Sequence, residues 1–596
     1  MSVGSEQAGP PAHPGPARSG PGLPASAGQR EVLLDAMAAR PDSGLHVGQS
    51  HWRWYGPLDT RRFLAAWQCV YDREAVLRAA FAPYGARGGP RVVVHRRVVP
   101  QLVRHPYGSA DWQALLAGER RRGFEPTRPG LLRIALLDEQ PGPAGPTRVI
   151  LTYHHAALDG RSVRLLVRAF ARAYLAEGGA AGGERRPDLR DHLRWLAGRD
   201  RAPARAFWSA AAPPAGSATL PPGGGGAAGV RTTVRLAPYE ASLLRDWTAG
   251  QGVTESTALQ AAWALQLRRS VPAGGPVPVA FATAVSGRGI PLDGACRLPG
   301  PLTTALPVSV EVDPDRPFSR LLSDLADRAL ELSTYEWVSM GQVRAWSGRT
   351  PATPLARTVL SFDPPPPADA DPLDEELAAQ GIRLTEPEAV ATPGGHALSL
   401  TAHHDREGGL VLTGVQDRTG LVDARAAVHG TARLLRGFPT TDRRSTTVAE
   451  TLRLLGPWPP PGDAHPAADR QPAGAAGLVV LRQAARRGAG AVVLVPPPGG
   501  PAGCYSALAR IHPWDGQLAV LDTPVDAAGC LAALRPVLAA GEPLVLGCRP
   551  AGAPLAHEIA RRTAAFGWPA PAVAVAPDTE SLSRALTAAA TRRAVP

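Results

Sequence analysis

Lysine and asparagine are both absent from the 596 residues, so all 64 basic residues are arginine. A net charge of +12 ordinarily points to nucleic acid or an anionic membrane. A chain whose cations are all Arg carries the stamp of GC-rich coding, so neither partner is expected here. Attraction of an acidic carrier protein to an Arg-rich face stays compatible with the charge. Cysteine is scarce: Cys69, Cys296, Cys504, Cys530 and Cys548 have no CxxC spacing. That excludes a cysteine zinc site and a disulfide framework and fits a reducing compartment. No stretch approaches about 18 uninterrupted apolar residues, and the residues before Ser26 lack the apolar core of a signal peptide. A soluble, cytoplasmic protein without a metal site is the expectation. No repeat of fixed period and no heptad seam occurs, which sets aside solenoids and coiled coils.

The length suggests two to four compact units. Residues 1–25 hold too few apolar side chains to offset the entropy of ordering them and are expected to form a disordered arm. Over 26–212, amphipathic helical patterns alternate with apolar runs such as 91–94 and 131–137, a mixed α/β block. A Pro/Gly-rich passage, 213–229, separates it from a second alternating block over 230–440. A stiff Pro-rich linker over 456–475 leads to a last, βαβ-like region, 476–596.

The most informative stretch is His154-His155-Ala-Ala-Leu-Asp159-Gly160. Before it, 149–153 is a β-branched and aromatic run with the look of a buried strand. After it, Val163, Leu166, Val167, Phe170 and Tyr174 recur at helical spacing, with Arg161, Arg164, Arg168 and Arg172 on the other face. A strand-to-helix turn can hold an imidazole at the mouth of a cleft, where neutral His accepts a proton or steadies a developing charge. An arbitrary His pair more commonly just satisfies hydrogen bonds at a strand end, so its surroundings decide. A second pair, His403-His404-Asp405, lies in an alternating stretch read as one strand over 398–412, and is given a structural role.

The HHxxxDG turn resembles the signature of nonribosomal-peptide-synthetase condensation domains, in the chloramphenicol-acetyltransferase-like superfamily. Further elements resemble that family in order: Ser26-Ala-Gly-Gln29 onward to Leu33, Arg73 to Phe81, Phe124 to Arg133, Ser286-Gly287-Arg288 with Leu306-Pro307, Tyr335 to Val343, Ser361-Phe362-Asp363, and Asp417-Arg418. The resemblance covers 26–440. It implies an α/β fold of two acetyltransferase-like lobes forming a V-shaped pseudodimer, and acyl transfer from a carrier thioester to an amine or hydroxyl. It casts His155 as the residue that handles the proton or positions the nucleophile, with His154 structural. Asp159 would point away from the reaction and pair with Arg133, a buried support for the turn. Gly160 would leave room for the pantetheine thioester, and Ser286, Arg288 and Thr304 would belong to the latch and substrate channel. Where the family has Asn and Thr ahead of Leu-Pro, this chain has Thr304 and Ala305, a departure that bears on donor preference. No bound cofactor is implied; phosphopantetheine arrives on acyl and peptidyl carrier proteins, or the acceptor is a free small molecule. No adenylation or carrier segment is found in the chain. Two alternatives stay open: an O- or N-acyltransferase using acyl-CoA, and a non-catalytic scaffold that docks carriers.

The stretch from Ala491 to Arg510 resembles the start of thioesterase-like α/β-hydrolases. Where such a domain carries the GxSxG elbow, this chain reads Gly547-Cys548-Arg549-Pro550-Ala551-Gly552. The nucleophile position falls on Arg549 or Pro550, neither of which can form an acyl-enzyme, and no His follows His557. Cys548 is the one residual candidate. Residues 476–596 are expected to be a small, truncated, non-hydrolytic domain whose deletion leaves condensation intact.

Overall fold

The computed structural model describes residues 22–39, 43–82, 89–142, 145–176, 186–220, 231–272, 274–349, 354–363, 372–390, 396–416, 423–442, 445–456, 477–482, 490–497, 505, 508, 511–513, 515–522, 526–540 and 543–594. The linker 456–475, most of the N-terminal arm, Cys504 and the Asp417-Arg418 element lie almost wholly outside them. Within the expected arm, Leu23–Pro24 pairs with Arg91–Val94, and Ala25 is buried.

Three α/β bodies follow one another. In the first, strands run in the order Arg383–Leu384, Val47–Tyr55, Thr147–His154, Leu132–Asp138, Gln101–His105. Side chains alternate across the pleat. Leu132, Ile134 and Leu136 enter the main core with Trp54, Phe63, Trp67 and Phe170, beneath helices Thr60–Arg73 and Gly160–Leu175. Ala135 faces the other way, into a small cluster with Leu116 of helix Trp112–Arg122.

The second sheet has the order Thr304–Val312, Val277–Val285, Thr358–Asp363, Leu398–His404, Leu410–Gln416, Arg231–Leu236. Helix Glu255–Arg269, buried along most of its length, fills its core with Trp263. The stretch read as one strand over 398–412 is two, turning at 405–409, where Gly408 takes a φ of +84°. The boundary placed at 212–230 also shifts. Helix Ala202–Ala211 sends Trp208 into the second core, whereas helix Leu373–Ala379 enters the first. Arg383–Leu384 and Glu388–Val390 pair with Val47–Tyr55, covering an edge that would otherwise expose unpaired backbone. Such exchanges depend on which surface needs covering, which no local pattern records.

The third body has the strand order Gly477–Arg482, Gln517–Asp522, Ala491–Val495, Leu544–Cys548, Ala572–Val575, parallel except for the first. Helices Ala527–Ala540 and Ala553–Ala565 cover one face and Thr579–Ala594 the other. Its core also takes in Leu34 and Met37 from helix Ala27–Ala38, at 2% and 1% exposure. Deleting the third body would therefore bare two large apolar side chains, Leu34 and Met37. Among the described residues, no helix is long and apolar enough to cross a membrane.

Candidate functional site

The opening helix, Ala27–Ala38, starts with a reciprocal cap: Ser26 Oγ accepts from Gln29 N–H, and Gln29 Oε1 accepts from Ser26 N–H. The amide Nε2 of the same Gln29 donates to the Ala156 carbonyl at 3.0 Å, in the buried interior. The SxxQ element therefore clamps the peptide that follows His155, a direct support that its sequence position alone did not reveal.

Strand Thr147–His154 ends at the first motif histidine. His154 is 2% exposed and its Nδ1 accepts from Ala156 N–H at 3.1 Å. Burial, with His46 and His155 nearby, pulls its pKa down to about 3. Its ring is neutral and pins the turn through Ala156 N–H. His155 is only half-buried. Its N–H donates to the His46 carbonyl at 2.9 Å, and its ring sits edge-on to Tyr153. Burial, then the neighbouring His46, brings its pKa to about 4, against the opposing pull of Asp159 and a ring hydrogen bond to the Leu158 carbonyl. A neutral imidazole has one ring nitrogen that donates and one that accepts.

Asp159 caps helix Gly160–Leu175 by accepting from Ser162 N–H at 2.8 Å. Its partner is not Arg133. Arg288 reaches across from the second body and places Nη1 at 2.8 Å and Nη2 at 3.0 Å from the two carboxylate oxygens. The same carboxylate accepts from Leu302 N–H, Thr303 N–H and Thr303 Oγ1. Burial alone would raise its pKa; Arg288 and these donors hold it below the usual carboxylate range. Arg288, whose side chain is 2% exposed, also donates to Ser162 Oγ and to the Leu298 and Gly300 carbonyls. Arg133 shares its pleat parity with Ala135 and so faces helix Trp112–Arg122. There it donates to Glu119 Oε2 at 2.6 Å and to the Gly123 carbonyl, with its guanidinium over the Phe124 ring. The family resemblance pairs Arg133 with Asp159, but the side of the sheet on which Arg133 stands gives it Glu119 instead.

The latch holds the lobes together at this point. Gly287 has a φ of +64°, and a Cβ there would meet the Leu302 carbonyl oxygen at 2.1 Å, so only glycine permits the approach. Ser286 Oγ accepts from Arg288 N–H. Thr304 merely begins a strand, whereas its neighbour Thr303 binds Asp159 with both backbone and side chain. Thr303 and Ser162 were missed by one residue and by two, and the polar run around the motif was their only signal. Gly160 is exposed, and a Cβ built on it meets no heavy atom within 4 Å, so the helix start is open to an approaching ligand. Farther along that helix, Arg164 lies 3.4 Å from Asp363 of the second body.

Elsewhere, His404 Nε2 sits 3.0 Å from Glu255 Oε2. In the third body, Cys548 ends its strand fully buried, and burial pushes its thiol up to about 11, far from the reactive thiolate. The described histidines there bond elsewhere, His512 to Ser583 and His557 to the Ala553 carbonyl. Among the described residues, no group of His, Cys, Asp and Glu could hold a metal ion.

A family model described as "Condensation domain" matches residues 33–413. A component of the linear gramicidin synthase of Brevibacillus parabrevis is 26% identical over 351 residues, covering 56% of this chain and 7% of that protein. The chain thus spans less than a tenth of that relative's length. The X-domain from teicoplanin biosynthesis, solved in complex with OxyB, has a TM-score of 0.56 at 20% identity over 74% of this chain and 99% of its own. A variant starter condensation domain of rhizomide synthetase, in complex with C8-CoA, has a TM-score of 0.57 at 19% identity over 72% of this chain and 96% of its own. At these identities the two structures bear on the fold alone.

Proposed function

The chain belongs to the condensation-domain family, acyltransferases of nonribosomal peptide synthesis, and from that premise we propose that it moves an acyl group from a carrier-bound thioester to an amine or hydroxyl acceptor at His155. The observation that carries this reading is the closed HHxxxDG turn. Asp159, which caps the motif helix and is clasped by Arg288 of the other lobe, fixes the turn beside a half-buried neutral imidazole.

In this reading the acceptor nitrogen or oxygen bonds to the thioester carbonyl carbon, the C–S bond breaks, and the acceptor's proton passes to the departing thiolate. His155 accepts a hydrogen bond from the attacking group and aims its lone pair, worth about 100-fold or more in rate. Burial penalises a full imidazolium, so orientation outweighs outright proton removal. Asp159 has no role in the reacting atoms: its oxygens are filled by Arg288, Ser162, Leu302 and Thr303. Phosphopantetheine is substrate, brought by acyl and peptidyl carriers past the open start of the helix at Gly160. We place the reaction in the cytoplasm. Residues 476–596 serve as a hydrolase-like domain with Arg549 or Pro550 where the elbow nucleophile would stand.

Two further readings each have one observation behind them. The C8-CoA complex of the rhizomide starter domain favours an acyl-CoA donor. The X-domain complex with OxyB favours a docking platform. Single-turnover assays with acyl-carrier and acyl-CoA donors separate the three. Product from the carrier donor supports the proposal, product from CoA alone favours the second reading, and tight carrier binding without product favours the third.

A further inference from the structure

The opening helix serves all three bodies. Gln29 supports the motif turn of the first. Glu31, two residues on, accepts from Gly341 N–H at 3.1 Å and from Ser339 Oγ in the second. Leu34 and Met37 sit in the core of the third, whose helix Ala527–Ala540 carries Arg535. Between these faces lies Asp35, with Oδ1 2.6 Å from Arg535 Nη1 and Oδ2 3.4 Å from His46 Nε2. The second contact has ion-pair range without hydrogen-bond geometry, and His46 Nε2 is buried with no hydrogen-bond partner.

His46 is the one non-glycine residue among those described with a positive φ, +61°. A side chain in the left-handed region costs energy and persists only where its surroundings hold it. Held there, His46 turns its carbonyl to the His155 N–H at 2.9 Å. The two ends of this chain of contacts are therefore the third body and the reacting histidine: Arg535 holds Asp35, Asp35 faces the His46 ring, and the His46 carbonyl fixes His155.

We propose that His46 is a positioning residue for His155, and that Arg535 of the C-terminal domain governs it through Asp35. The degenerate third body is then a support for the acyl-transfer site and not a passenger. The proposal rests on the reading of His155 given above, and its test includes a measurement that does not depend on activity.

The experiment compares the full chain with Arg535→Ala, Arg535→Lys, His46→Gly and the double variant His46→Gly/Arg535→Ala. Amide hydrogen exchange at His155 and the rate constant for acyl transfer are both read. Arg535→Ala should raise His155 exchange about tenfold, because local opening reports loss of the held carbonyl. It should lower kcat about fivefold with KM unchanged, the scale of a slight misplacement at the reacting group. Arg535→Lys should restore most of both. Glycine adopts the left-handed backbone without a held ring, so adding Arg535→Ala to His46→Gly should change neither readout further. Equal effects of Arg535→Ala in both backgrounds, or unchanged exchange in a folded Arg535→Ala protein, would overturn the link. If the wild type transfers no acyl group from any donor, the exchange comparison still decides the link, and only the reading of function falls.

Discussion

The dipeptide His-His closes a strand twice in this chain, at His154-His155 and at His403-His404, and each pair is soon followed by an aspartate. In the first body the chain leaves the strand through a turn into a helix. Asp159 caps that helix and is clasped by Arg288 from the other lobe. In the second body the chain returns as a hairpin. Asp405 caps the hairpin turn through Glu407 N–H and Gly409 N–H and meets Arg235 at 2.6 Å near the surface. The same residues make the proposed site in one place and a strand end in the other. What distinguishes them is the element that follows and the burial of the aspartate, not the imidazoles.

The largest difference should appear when each clasp is broken. Arg288→Ala leaves a buried, unpaired carboxylate at Asp159 and should cost about 3–5 kcal/mol. Arg235→Ala touches a solvent-screened pair and should leave the unfolding midpoint close to wild type. Urea unfolding of the two variants measures the contrast, and similar midpoints would erase it. Next comes pH. His154, His155 and His192 have pKa values lowered to about 3, 4 and 4 by burial, below the unfolded value of about 6.5. The unfolded chain therefore binds protons that the native one refuses. Stability is complete above about pH 6.5 and falls as pH drops towards 4, by up to about 1.4 kcal/mol per unit for each histidine. Unfolding midpoints at pH 7.5 and 5 should differ clearly, and a flat profile would mean that these rings are not held neutral.

Smaller effects sharpen the corrected pairing. Arg133→Ala should cost about 1–3 kcal/mol through the lost bonds to Glu119 and Gly123, while turnover per folded molecule stays within about threefold of wild type. A larger loss of turnover would return Arg133 to the support of the motif. Smallest of all, His404→Ala should leave acyl transfer within about twofold, because its partner Glu255 belongs to the second body and not to the motif turn. A hundredfold loss there would make the two pairs functionally alike.

Periodicity made the motif strand and helix legible, because burial on one face imposes a spacing that can be read residue by residue. The family resemblance supplied the order of elements and the roles proposed for His155, His154 and Asp159, and Ser26 with Gln29 proved to be a helix cap as well as a clamp. Partnership across space was not legible. Arg133 and Arg288 both stand in recognisable elements, and only the pleat, which turns Arg133 with Ala135 away from the motif helix, settles which one meets Asp159. The exchange of Trp208 and of strand Arg383–Leu384 between the lobes was hidden for the same reason, as was the seat of Leu34 and Met37 in the third core. His46 gave no signal, since a left-handed φ at histidine follows from its surroundings.

The central claim is that His155 is where the acyl group changes hands, and His155→Ala tests it most directly. Single-turnover transfer from an acyl-carrier donor is measured beside carrier binding and thermal unfolding of the same protein. The account predicts transfer reduced about 100-fold or more, with binding and unfolding temperature near wild type. Transfer at the wild-type rate in a folded His155→Ala protein would contradict it.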